Sequence, residues 1–536
     1  MPPTLTVPGV FVEELHNRVP AIEGTATSIT ALVGRALRGP VNSPTLIRSY
    51  SEFLRTFGEL WQPATLGYAV NQFFQNGGRE ALIVRVFNGN IADSTATITL
   101  ETDDDDLILV ASSPGSWGRN LQVTVDHSTS NPADAKLFNL VVAELDTAID
   151  GAVRIEQFHA LSSEPTHPRF VTSVLNEESA LVTVRAGDFG TPADGTVNAV
   201  SIARGDGNAI TDADIVGNQH ERSGIYALEH AERFNLLCIP PPTRSTDVTG
   251  ATWAKAATYC KECRAMLLID APSAWSANPR TLVSDAIDSM NALLSTIGIE
   301  AAENAALYYP RLRVPDPLSQ NRLADFAPCG AVAGIFARTD IQRGVWKAPA
   351  GRDASLTGVA ELSINLTSSQ NSKLNASGIN CLRSFPQRGH VVWGARTLSG
   401  AVRNTSEWKY VPVRRLALYL EESLTRGLQW VAFESNDEHL WSTIRSSTDA
   451  FMQTLFRQGA FQGRSVNDAW FIRCGNETTT RADINRGVVN VVVGFAPVKP
   501  AEFVIIRILQ MTISPGSVNP GQRVSRDHDV ERHNGV

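Results

Sequence analysis

Apolar and polar positions alternate differently in different parts of this chain, and the changes mark its segments. Over residues 437–458, Leu440, Trp441, Ile444, Phe451, Met452, Leu455 and Phe456 recur at helical spacing. Asn436 or Asp437 is placed to cap that helix, Asp437 and Glu438 suit the positive end of its dipole, and Gly459 supplies a stop. Two β-rich runs follow, 488–495 and 503–508, joined by Ala496-Pro497-Val498-Lys499-Pro500, which predicts an antiparallel hairpin. A helix with a wide apolar face beside a hairpin makes an α+β unit, and nothing in it has the look of chemistry.

Nearer the start, residues 29–34 read as a short strand. Ser49 and Glu52 form a capping box for a helix through Phe53 and Phe57, closed by Gly58. Pro63 opens a second helix carrying Leu66, Val70, Phe73 and Phe74 on one side, Gly77-Gly78 stops it, and 81–87 is a strand. From 90 to about 205 the character changes. Short runs at 95–100, 107–110, 121–125, 137–142, 170–174 and 181–185, with turn residues between, predict an all-β block. Beyond it strand and helix alternate: strands at 235–239, 266–269 and 305–310, helices at 251–263, 279–297 and 329–339. That is the pattern of a mostly parallel sheet with crossover helices. The expected fold class is therefore α/β and α+β multidomain, with the all-β block inserted into the α/β part.

Composition narrows the function. At 536 residues the chain exceeds one core. Apolar residues make up 43% and charged residues 19%, ordinary for a folded protein, and a net charge of −8 speaks against a nucleic-acid binder. No charged start precedes an apolar run and no apolar stretch is long enough to span a bilayer, so the expected place is the cytoplasm of the producing cell, without membrane insertion. Cys260 and Cys263 form a C-x-x-C, but Cys238, Cys329, Cys381 and Cys474 stand singly, so no zinc set is assigned. The glycines at 34, 39, 77 and 78 match no phosphate-loop spacing, and no cofactor is expected. The run Asp103-Asp104-Asp105-Asp106 reads as a solvated turn, and Gly205–Asp214 lacks the central Gly and closing Glu of an EF-hand.

Several long phrases carry a family resemblance. Phe385-Pro386-Gln387-Arg388-Gly389-His390-Val391-Val392-Trp393-Gly394-Ala395-Arg396-Thr397, Trp430-Val431-Ala432-Phe433-Glu434-Ser435-Asn436-Asp437 and Ala496-Pro497-Val498-Lys499-Pro500-Ala501-Glu502-Phe503 resemble the tail sheath proteins of contractile phages and related injection machines. So do Val7-Pro8-Gly9-Val10-Phe11-Val12-Glu13-Glu14 at the start and Phe234-Asn235-Leu236-Leu237-Cys238-Ile239-Pro240 in the middle. The resemblance implies a subtilisin-like, non-catalytic α/β core at 23–89 plus 206–398 and an outer β-rich domain at 90–205. It also implies an amino-terminal arm at 1–22, a tube-facing α+β domain at 399–511 and a polar tail at 512–536. It implies a helical homo-oligomer around an inner tube protein, with baseplate and terminator partners.

Strand exchange between copies is the expected linkage, through Val7, Val10, Phe11 and Val12 at one end and Phe503, Val504, Ile505, Ile506 and Ile508 at the other. Glu438, Arg445 and Arg457 are the candidate tube-facing residues. Two other readings were weighed. A serine hydrolase needs a nucleophile, a histidine base and an orienting acid. Yet the chain shows no G-x-S-x-G, and between Ile225 and Arg403 only His230 and His390 are available. A carbohydrate- or surface-binding protein built on residues 90–205 is the other.

Overall fold

In the computed structural model, residues 20–129, 131, 134–146, 151–199, 205–402 and 406–502 are described. The first segment carries β1 (Thr30–Gly34), β2 (Thr45–Ile47), α1 (Tyr50–Phe57), α2 (Leu66–Gln75) and β3 (Ala81–Arg85). Next come β4 (Thr97–Leu100), β5 (Leu107–Ala111), β6 (Leu121–Asp126), β7 (Leu137–Asp146), β8 (Gly151–Ser162), α3 (Val171–Glu178), β9 (Val182–Val184) and β10 (Gly195–Asn198). The third segment holds α4 (Asp212–Val216), β11 (Leu236–Cys238), α5 (Gly250–Glu262), β12 (Met266–Asp270), α6 (Leu282–Ile297), α7 (Ile299–Ala302) and β13 (Ala305–Tyr309). It continues with β14 (Leu312–Asp316), β15 (Arg322–Phe326), α8 (Cys329–Arg343), β16 (Glu361–Leu362), α9 (Ser368–Ala376), β17 (Ile379–Phe385) and β18 (Gly389–Val392). The last segment is α10 (Ser399–Val402), α11 (Val411–Gly427), α12 (Glu438–Arg457), α13 (Val466–Ala469), β19 (Trp470–Arg473), α14 (Arg481–Asn485) and β20 (Val492–Phe495).

An eight-stranded sheet in the order β18-β17-β13-β12-β11-β1-β3-β2 forms the centre. Its six inner strands are parallel, and β2 and β18 close the edges antiparallel. All five residues of β1, β3, β12 and β13 are buried, as strands covered on both faces require. Successive side chains go to opposite layers. Ala31, Val33, Leu267 and Ile269 pack with Trp253, Ala256 and Met290 of α5 and α6. Leu32, Ile83, Leu268 and Tyr308 pack with Phe53, Phe73 and Phe336 of α1, α2 and α8.

The strands between β3 and β11 pair only among themselves, in the sheets β10-β6-β7-β8 and β4-β5-β9, around a core of their own. One buried cation joins that core to the large sheet. The Arg85 guanidinium donates to the carbonyls of Ala36, Leu37, Gly39 and Pro114. Burial pushes it down to about 9, so it stays protonated at neutral pH with four carbonyl dipoles in place of water.

Several local expectations change. Residues 170–174 do not form a strand: α3 runs through them, because Val171, Val174 and Leu175 turn inward together at helical spacing. Ser49 caps α1, but Glu52 accepts the Arg48 amide instead of the Ser49 amide, so the capping box is half formed. The second helix begins at Leu66, not at Pro63. In the closing hairpin, β20 pairs antiparallel with β19, and the run 503–508 lies outside the described residues.

Residues 20–27 lie along α11. Ile22 enters the core formed by Leu416, Leu420, Phe451, Met452, Leu455, Phe461 and Trp470, and a Cβ on Gly427 would collide with it. The Thr25 amide donates to Ser423 Oγ at 3.2 Å. Deeper, the Arg415 guanidinium meets Asp340 of α8 through two bonds of 2.8 and 2.6 Å and donates to the Thr27 carbonyl at 2.8 Å. The two side chains are only 3% and 2% exposed, so neither charge has water to fall back on. Asp340→Ala should therefore cost about 3–5 kcal/mol in urea unfolding, because Arg415 is left buried and unpaired. Replacing the pair by Asp340→Leu with Arg415→Met should cost less. A single-variant loss below about 1 kcal/mol would show the site to be hydrated.

Candidate functional site

The candidate tube-facing residues lie in the carboxy-terminal segment, on α12. In α12, the Asp437 carboxylate accepts the Leu440 amide at 3.0 Å, and Leu440, Trp441, Ile444, Phe451, Met452 and Leu455 are buried along one face. On that face lies the two-stranded ribbon β19–β20, in the register Trp470↔Phe495 to Arg473↔Val492. Trp470 fixes it: Nε1 donates to Asp449 of α12 at 3.1 Å, and its ring packs against Phe456 and Phe461. Among the described residues no third strand joins this ribbon. A groove of about 540 Å³ opens beside β19, between Arg445, Ser446 and Asp449 of α12, Val466 and Asn467 of α13, and Phe471. Phe471 and Val492 present apolar surface to solvent at this ribbon.

Of the candidate tube-facing residues, Glu438 and Arg457 are exposed at opposite ends of α12. Arg445 is half-buried and braced, with one guanidinium nitrogen on the Cys474 carbonyl and another on Glu438 at 2.6 Å. Its first role in the isolated chain is therefore to hold the segment after β19 against the helix. The strand-exchange candidates Val7, Val10, Phe11, Val12, Phe503, Val504, Ile505, Ile506 and Ile508 all lie outside the described residues. Two features escaped the sequence reading. β19 was missed although Trp470-Phe471-Ile472 is a β-prone aromatic run before Gly475. The exposed loop before α12, with Phe433 at its tip, was read only as part of a family phrase.

The groups relevant to catalysis are dispersed. His230 is exposed at the end of a single 3-10 segment. His390 sits on β18 across from Ser384 of β17, its Nδ1 at 2.8 Å from Ser384 Oγ. Its other nitrogen reaches the Ala360 carbonyl at 3.0 Å, so a backbone oxygen stands where a triad would have a carboxylate. Asp270 ends β12, where open α/β sheets commonly place their chemistry. Its Oδ1 accepts the Cys329 amide at 2.8 Å, and the residue is only 4% exposed. Among the described residues no cluster of His, Cys, Asp and Glu fit to hold a metal occurs, and no helix is long and apolar enough to cross a membrane.

Two family models match the chain: "Phage tail sheath protein central domain" over residues 214–398 and "Phage tail sheath C-terminal domain" over 403–510. Together they cover more than half of it, and the chain belongs to the phage tail sheath protein family. It is similar to the tail sheath protein of Vibrio phage KVP40, 31% identical over 127 residues, which is 24% of this chain and 18% of that protein. It is also similar to a putative prophage major tail sheath protein of Pseudomonas aeruginosa, 27% identical over 221 residues, 36% of this chain and 56% of that protein. The matches thus span well under two thirds of these relatives' own lengths. Among solved structures, the contracted helical sheath of the anti-feeding prophage aligns with a TM-score of 0.57 at 22% identity, covering 95% of this chain and 100% of that one. The sheath tail protein of Listeria innocua aligns with 0.58 at 13% identity, covering 89% and 96%. At such identities the likeness concerns the fold.

Asp270 gives a test of how dry the end of the sheet is. Burial raises its carboxyl to about 6 from 3.8. The folded state then holds the proton more tightly than the unfolded chain. That contribution is full below the unfolded value and lost as pH rises through 6. Asp270→Asn removes the titration, so relative to the parent it should gain about 2 kcal/mol between pH 4.5 and 7.5 in urea unfolding. Parallel pH profiles for the two proteins would mean that Asp270 is solvated.

Proposed function

We infer that the chain is a structural sheath subunit of a contractile tail or contractile injection system. Copies stack helically around an inner tube in an extended state, and on a signal from the baseplate they shorten and drive the tube through a target envelope. The observation that carries this reading is the ribbon β19–β20. Strands of four residues make a sheet too small to stand alone, and this one lies beside an open groove with apolar side chains turned outward. Such a ribbon is suited to being completed by strands of other copies. We assign that part to residues 7–15 of the arm and the strand at 503–511, one contributed from each side. The contact is heterologous, so it propagates as a helix instead of closing. Family membership supports the same reading.

Within it, residues 23–89 and 206–398 form a subtilisin-like core without a catalytic role. Residues 90–205 face outward, and 399–511 face the tube. Inner tube, baseplate and terminator proteins are the partners, and assembly starts in the cytoplasm of the producing bacterium. A serine-directed activity probe is expected to leave the chain unlabelled.

Electron microscopy of the chain co-expressed with its tube partner tests the reading directly. Hollow striated cylinders are expected, and a dispersed monomer in the presence of tube would overturn it. Deleting residues 1–15 should leave a soluble monomer that forms no sheath; normal sheaths from that truncation would remove strand exchange from the account. Arg457→Glu should weaken sheath on tube while leaving the unfolding midpoint in place, since Arg457 is exposed. Unchanged co-assembly would make α12 a purely internal helix.

A further inference from the structure

Two features elsewhere on the molecule are left open, and each has the chemistry the other lacks. The first is the tip of the α11–α12 loop. Phe433 is 107% exposed and sits at φ +72, a conformation that a bulky side chain rarely takes. Among the described residues nothing packs against it. The loop is nonetheless firmly held. The amides of Val431, Ala432 and Glu434 bond back to Leu428, Gln429 and Val431 at 3.0 to 3.2 Å. Asn436 bridges Trp441 Nε1 and the Val488 carbonyl. The exposed Glu434 follows directly. A phenyl ring with a carboxylate beside it is thus presented in a fixed geometry, which lowers the entropy cost of inserting it elsewhere.

The second is a cavity of about 350 Å³ at the end of the β17–β18 hairpin. Its aromatic surface is the packed pair Phe385 and Trp393, ring centroids 4.7 Å apart, with Trp393 38% exposed. Arg352 and Arg388 stand at its rim, both exposed, and among the described residues neither guanidinium has an ion-pair partner. The frame is rigid here too. Residues 351–356 run along the outer edge of β18, bonding Gly351 to Val392, Val392 to Ala354 and Leu356 to His390 at 2.8 to 3.0 Å.

We propose that Phe433 and Glu434 of one copy dock into this cavity on a second copy, the ring against the packed pair Phe385 and Trp393 and the carboxylate against Arg352 and Arg388. The proposal rests on the sheath reading and gives it a named contact. Buried aromatic and arginine anchors are the residues that dominate interface energies, and an aromatic–carboxylate tip facing an aromatic–arginine pocket matches both shape class and charge. The two halves belong to different regions of the chain, so the contact is head-to-tail and repeats along a filament.

A photo-crosslinking amino acid in place of Phe433, in the full chain assembled with its tube partner, tests this. Dimer-sized products are expected, with mass spectrometry placing the link within residues 385–393. Glu434→Arg, or Arg352→Glu with Arg388→Glu, should raise the concentration needed for assembly about thirtyfold, and the three changes together should restore most of it. All three sites are exposed, so folding is not at stake. Sheaths that form with links elsewhere, or with no penalty from Glu434→Arg, overturn the contact and leave the sheath reading standing. A chain that forms neither sheaths nor crosslinked dimers overturns both.

Discussion

The buried pair between Arg415 and Asp340 is the join on which the rest of the architecture depends. It sets α11 against α8, and through the Thr27 carbonyl it holds the segment that leads to β1. The guanidinium also lies over the Phe336 ring, at 4.9 Å. A buried ion pair adds little net stability compared with a well-packed apolar substitute, but it tolerates only one arrangement of its partners. Here that arrangement makes the amino-terminal leg, the α/β layers and the carboxy-terminal helices one body. Around it lies a looser, half-exposed network in which Arg426 meets Glu232 and Glu422, and Arg264 meets Glu422. Those pairs are screened by salt and serve more as guides than as fasteners.

Edges of sheets are handled in different ways across the molecule. The large sheet ends at one side in a three-residue strand, β2, and at the other in β18, whose outer edge is taken up by residues 351–356. In the sheet β10-β6-β7-β8, β10 is short, and the pairing of the long edge strand β8 is broken by two register shifts. All of these are known ways of blunting an edge against stray pairing. The ribbon β19–β20 is also made of four-residue strands and is continued by a bridge between Phe461 and Pro497, but Phe471 and Val492 face solvent there.

Much of the fold was legible beforehand, for definite reasons. The strands around Ala31, Leu267 and Ala306 read as unbroken apolar runs because a parallel sheet covered on both faces offers no polar side to alternate with. The helix α12 was marked three times over, by Asp437 at its start, by its apolar stripe and by Gly459 after it. Where local signals were single, tertiary context decided. Val171 is β-prone, yet α3 forms because the sheets beside it take Val171, Val174 and Leu175 together.

The order of apolar and polar residues by itself determined most of the element types, the change to β structure after β3, the absence of any phosphate-loop spacing and the family to which the long phrases point. Period, caps and turns act over a few residues and can be read there. Only the tertiary structure decided that β20 pairs with β19, that His390 meets Ser384 and a carbonyl, that Arg445 braces Cys474 and that Phe433 stands free above a held loop. Each of these depends on a partner far away in sequence or on the lack of one, and no local pattern of residues encodes where a distant neighbour will lie.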